Sequence, residues 1–92
     1  LKKIAHRDRL KIYGDLLAVL QAESKEEKIV LTRVQVHINV PFDRLKTYIS
    51  ELCDLGLIED QTSCKLTDKG RQFLVEYEQV LDFMKRMGIA YR

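Results

Sequence analysis

The side chains with usable chemistry in this sequence are cations, hydroxyls and two cysteines. Arg44, Lys46, Thr47 and Ser50 fall within the stretch NVPFDRLKTYISELCDLGLIE, residues 39–59. Guanidinium and ammonium groups bind phosphate oxygens, and these side chains also hydrogen-bond the edges of bases. Arg33, His37 and Asn39 stand shortly before the group, Tyr48 within it and Lys65 after it. The charge of the stretch works against phosphate affinity, because Asp43, Glu51, Asp54 and Glu59 outnumber Arg44 and Lys46. Each residue also has a plain structural role: Tyr48 in a core, His37 at a helix end, Arg44 paired with Asp43 or Asp54 for under ~1 kcal/mol.

Other chemistry is thin. Cys53 and Cys64 have no second cysteine pair and no nearby histidine, so their spacing does not suggest a zinc site. Reduced thiols are expected, with Cys53 packed as a small hydrophobe; a disulfide or a redox switch stays open. His6 and His37 lack a Cys or Ser partner, and no glycine loop could cradle a phosphate. An enzyme is therefore the least favoured class. No catalytic residue, metal, cofactor or small-molecule ligand is expected.

The charge distribution adds a second hint. The 92 residues carry +2 overall, 46% hydrophobic and 33% charged residues, which fits one globular domain. Residues 1–11 hold Lys2, Lys3, Arg7, Arg9 and Lys11 against Asp8 alone, a basic arm able to attract phosphate. Nothing approaches the ~18 uninterrupted apolar residues of a membrane span, and no signal-peptide pattern opens the chain. A cytoplasmic setting is expected.

These residues must be positioned by helices. Ile4, Leu10, Tyr13, Leu17 and Leu20 make a helical stripe over residues 4–24, interrupted by Gly14. The β-branched IVL, residues 29–31, predicts one short strand. Thr32 and Gln35 match a capping box for a second helix, which Asn39 ends and Pro41 follows. Two helices so closely joined make a helix-turn-helix. The third helix runs from Phe42 to about Leu55, burying Leu45, Ile49 and Leu52, with Gly56 as its left-handed cap. Residues 57–67 predict a hairpin turning near Gln61–Thr62, with Leu57 facing Leu66. Thr67 caps a last helix reaching about Met87. Along it, Phe73, Tyr77, Val80, Met84 and Met87 recur at spacings of 4, 3, 4 and 3, joined by Leu81. Such a repeat predicts a short coiled coil with a second copy; folding back onto the first helix is the alternative.

In its order of elements the chain resembles winged-helix DNA-binding domains. Asn39, Phe42, Tyr48, Leu52, Leu55–Gly56–Leu57–Ile58 and Leu66–Thr67–Asp68–Lys69–Gly70 make the resemblance narrower. They are similar to the small archaeal winged-helix proteins with a C-terminal antiparallel coiled coil, among them chromatin-associated members from Sulfolobus. Pro41 stands where that family usually has a capping Ser, and Cys64 where a wing aromatic is frequent.

The resemblance implies an α+β, mostly helical fold: a winged helix-turn-helix at 1–72 and a long dimerisation helix at 73–92. It implies a homodimer bound to double-stranded DNA, as a transcriptional regulator or chromatin-associated architectural protein. The third helix would enter the major groove with Arg44, Lys46, Thr47, Tyr48 and Ser50. Arg33, His37 and Asn39 would touch phosphate beside the turn, and Lys65 would do so from the wing. Phe73, Tyr77, Val80, Leu81, Met84 and Met87 would form the dimer seam. The competing expectation is a winged-helix protein-interaction module without intrinsic DNA binding, which the acids on the third helix favour.

Overall fold

The computed structural model describes residues 2–24 and 29–89, with side chains from Arg9 onward. Lys2, Lys3 and Arg7 of the basic arm lie outside the described side chains. Among the described residues four helices follow in order: α1 (Lys2–Glu23), α2 (Leu31–Ile38), α3 (Phe42–Asp54) and α4 (Asp68–Arg86). Leu16, Leu17 and Leu20 of α1, Val34 of α2, and Leu45 and Leu52 of α3 are wholly buried together. This cluster packs α1, α2 and α3 around one core.

The joint between α2 and α3 is built from three residues. Asn39 adopts the left-handed conformation (φ 61°), and its N–H donates to the Gln35 carbonyl at 2.7 Å. Asparagine tolerates this region better than other non-glycine residues. Pro41 lies just outside α3, and its carbonyl accepts from the Leu45 N–H at 2.9 Å. The start of α2 departs from expectation. Val30, not Thr32, is the cap, and its carbonyl receives the N–H groups of Arg33 and Val34. Thr32 is inside the first turn, so no Thr32–Gln35 capping box forms. Because Leu31 joins the helix, the expected strand at 29–31 is absent; the residues left over could make too few ladder bonds to persist.

The wing is likewise smaller than a two-stranded hairpin. Among the described residues there is no strand, only one antiparallel bridge, and it pairs Ile58 with Leu66 rather than Leu57 with Leu66. Leu57 is committed elsewhere: its N–H closes α3 on the Leu52 carbonyl at 2.9 Å while Gly56 (φ 76°) bonds to Cys53 at 3.0 Å. This paired ending requires a left-handed residue, hence glycine. Asp60 organises the tip by accepting from the N–H groups of Thr62 (2.8 Å) and Ser63 (2.7 Å). Those bonds hold its carboxyl below the ordinary acid range. The described residues are thus mostly helical, as expected, with a single bridge where a two-stranded wing was expected.

The junction between wing and α4 is dense. Thr67 accepts from the Gly70 N–H at 3.0 Å and donates its hydroxyl proton to the Gly56 carbonyl at 2.6 Å. Lys69 reaches the Leu55 carbonyl at 2.7 Å, and Arg71 reaches that of Leu66 at 3.0 Å. The GLI and LTDKG segments therefore interlock, one motif holding the other.

From that junction α4 runs along α1. Tyr77 lies against Gly14, where a Cβ would meet its ring at 2.3 Å. Its hydroxyl is 3.2 Å from Asp15. Tyr77 is only 5% exposed and Leu74 is 6%, while Phe73 is half-buried beside them. Tyr77, expected in a dimer seam, is thus buried within its own chain, and α4 passes 72/73 without a break. Val80, Leu81, Phe83 and Met87 remain exposed and Met84 half-buried.

Cys64 is buried under the wing with a left-handed backbone (φ 53°). Burial, with Asp60 and Cys53 nearby, pushes its thiol up from 9.0 to about 11. Unfolded, the thiol ionises near its ordinary value; folded, it stays protonated to about 11. Its contribution is intact below pH 9 and is lost as pH rises from 9 towards 11. Urea melts at about pH 8 and about pH 10 should show this loss, smaller in Cys64→Ala; an equal loss in both proteins would contradict it.

Candidate nucleic-acid interface

The buried stripe of α3, formed by Leu45, Tyr48, Ile49 and Leu52, decides which of its residues face outward. Asp43, Arg44, Lys46, Thr47 and Asp54 are exposed, and Ser50 is half-buried. Phe42 joins this exposed set at the first turn.

The acids of α3 are not spread evenly over that surface. Glu51 turns to α1, where it accepts from both the Arg9 guanidinium and the Tyr13 hydroxyl. Arg9 also lies 5.2 Å above the Tyr48 ring. Desolvation, reinforced by the bond to Glu51, raises the Tyr13 hydroxyl above its ordinary value and keeps it a proton donor. Asp43 occupies the first turn of α3, where a negative charge favours the helix dipole. Asp54 is the last helical residue. Between these ends, the outward surface carries Arg44, Lys46, Thr47 and Ser50, two cations and two hydroxyls.

The anticipated residues do not form one patch. Arg44, Thr47 and the edge of Tyr48 line a shallow groove with Arg9, Pro41 and Asp43. Tyr48 is otherwise a core residue, 6% exposed. Lys46 occupies the other flank, its ammonium 5.8 Å from the centre of the Phe42 ring. His37 and Asn39 are exposed at the α2–α3 joint. Arg33, on the first turn of α2, makes a loose exposed pair with Glu23 at 3.4 Å. Lys65 opens instead onto a concavity with Gln21, Ser24, Glu59 and Arg71.

The Thr47 hydroxyl donates to the Asp43 carbonyl at 3.2 Å, one turn back. Its proton is spent there, leaving lone pairs and the γ-methyl for any partner. Cys64 does not fill the place of an exposed wing aromatic: it is buried, and its thiol reaches the Gln61 carbonyl at 3.4 Å.

Arg9 and Glu51 are the pair that sequence reasoning did not place at the site. The one local signal was Tyr13 four residues after Arg9, on the same face of α1; its bond to Arg9 spans 3.4 Å. Among the described residues no helix is long and apolar enough to cross a membrane.

A buried-stripe third helix, entered through a tight joint and left through a minimal wing into a long helix, is an arrangement of DNA-binding domains. Comparison with curated proteins and with solved structures gave no match. A family model described as winged helix-turn-helix matches residues 6–85. That span takes in α2, α3, the wing and most of α1 and α4, and the chain belongs to the winged helix-turn-helix family.

Proposed function

We propose that the protein binds double-stranded DNA as a homodimer, acting as a transcriptional regulator or a chromatin-associated architectural protein. The observation that carries this reading is the outward surface of α3. Its centre carries Thr47 and Ser50 with Arg44 and Lys46 on the two flanks, and Glu51 is turned away to Arg9 and Tyr13. Inserted in the major groove, this surface gives Arg44 and Lys46 access to phosphate and base edges. Arg33, His37 and Asn39, all exposed, would meet the backbone beside the groove. Lys65 would serve a neighbouring phosphate from the wing.

The dimer would use the distal part of α4. The heptad-like stripe serves two partners: Phe73 and Tyr77 meet α1, while Val80, Leu81, Met84 and Met87 remain for a second copy. Two recognition helices would then address half-sites about one helical turn, ~34 Å, apart. The antiparallel orientation and the archaeal chromatin-like placement follow from resemblance.

A protein-interaction module is the second reading, favoured by exposed Asp43 and Asp54 on α3. Sedimentation equilibrium in the micromolar range, with and without a labelled duplex, separates the readings. A dimer that takes up duplex is the expected result. A monomer would remove the two-half-site arrangement, and a dimer indifferent to duplex would favour the protein-interaction module.

A further inference from the structure

We infer that Phe42 is a base-reading residue that recognises the C5-methyl group of thymine. The inference rests on the DNA-binding reading above and names what its recognition helix selects.

Phe42 begins α3, the part of a recognition helix that reaches base edges in the major groove. It remains 39% exposed, although Leu45, Ile49 and Leu52 of the same helix are buried. The Lys46 ammonium lies 5.8 Å from the ring centre, a cation–π contact that restrains the ring on the outward flank and brings a cation beside it. An apolar ring flanked by a cation suits a surface that is itself apolar next to phosphate. The major groove offers one apolar group, the thymine methyl.

The neighbouring chemistry agrees. Thr47 has spent its hydroxyl proton on the Asp43 carbonyl, so what it offers is a methyl group and acceptor lone pairs. Those suit an A·T pair, which presents a methyl group on thymine and an N–H donor on adenine N6. The outward surface of α3 carries neither Asn nor Gln for bidentate reading of adenine; Arg44 and Lys46 can address guanine, and apolar contact is what it offers an A·T pair.

The test uses the full chain and two labelled duplexes about two helical turns long, identical except that uracil replaces every thymine. Uracil keeps the pairing with adenine and lacks only the C5-methyl. Burial of one methyl-sized group corresponds to about a fourfold change in affinity. Wild type should bind the thymine duplex at least about fourfold more tightly, and Phe42→Ala should lose most of that preference. Circular dichroism should show the variant folded, as expected for an exposed position. Equal binding of both duplexes by wild type would overturn the inference and leave DNA binding intact. A thymine preference that persists in Phe42→Ala would also overturn it, placing the discrimination in duplex shape or another residue. Absence of binding to either duplex at low salt would remove the DNA-binding reading together with the inference.

Discussion

Gly70→Ala is expected to lower the melting temperature by roughly 15 °C or more, the largest effect of an added methyl at any of the four glycines. A Cβ at this position would stand 2.1 Å from the Leu57 carbonyl oxygen and 3.1 Å from its carbon. Both are backbone atoms, and neither can rotate away. That carbonyl also accepts the Thr67 N–H at 3.1 Å, so moving it breaks the connection between wing and α4. The cost is about 3 kcal/mol or more, against the 5–15 kcal/mol that stabilises a domain. Gly14→Ala is the comparison. Its Cβ also meets an obstacle, at 2.3 Å, but the obstacle is the Tyr77 ring rather than backbone. Alanine also gains about 1 kcal/mol of helix propensity, so the net loss should be clearly smaller. A Gly70→Ala protein as stable as wild type would mean that α4 does not meet the wing through this junction.

The largest functional effect is expected from reversing charge at Arg44 and Lys46. Both side chains are exposed and on the outward surface of α3. The double variant Arg44→Glu/Lys46→Glu should weaken duplex binding on the order of 100-fold while leaving the thermal melt near wild type. Two cations leave the groove, and two carboxylates enter beside Asp43. Arg9→Ala should act differently. It removes a partner of Glu51, returning negative charge to the groove that Arg44 lines, and should cost less than the double reversal. Loss of affinity from Arg9→Ala but not from the double variant would move the binding surface off α3.

The helices were legible because their signals are local. The stripe of α3, the terminating Asn39 and Gly56 and the Thr67 cap each act within a few residues, and the structure realises all of them. What the sequence could not convey was choice among partners. Leu57 and Ile58 are both apolar, and alternation alone could not say which would pair with Leu66. The closing bond from Leu57 to Leu52 decides it. Thr32 has the right spacing for a cap, but the Val30 carbonyl begins the helix earlier. The stripe containing Tyr77 was visible, yet helical periodicity is silent on whether α1 or a second copy covers it. Within the chain, Gly14 of α1 lies against Tyr77 for one turn of α4.

The same holds for the site. Arg9 and Glu51 are 42 residues apart, and no local pattern joins them. Counted in sequence, α3 is an acidic helix; folded, Glu51 is paired with α1, and the outward Arg44 and Lys46 balance the exposed Asp43 and Asp54. Lys65 shows how little residue type says of placement: it opens onto a separate concavity from Arg44.

Duplex binding measured by fluorescence anisotropy across a salt series tests the central claim most directly. Cations that neutralise phosphates release counterions, so the logarithm of the affinity should fall linearly with the logarithm of salt concentration. The account predicts measurable binding at low salt and a slope that becomes shallower by about two in the Arg44→Ala/Lys46→Ala variant. No binding at low salt, or a slope unchanged by that substitution, would contradict it.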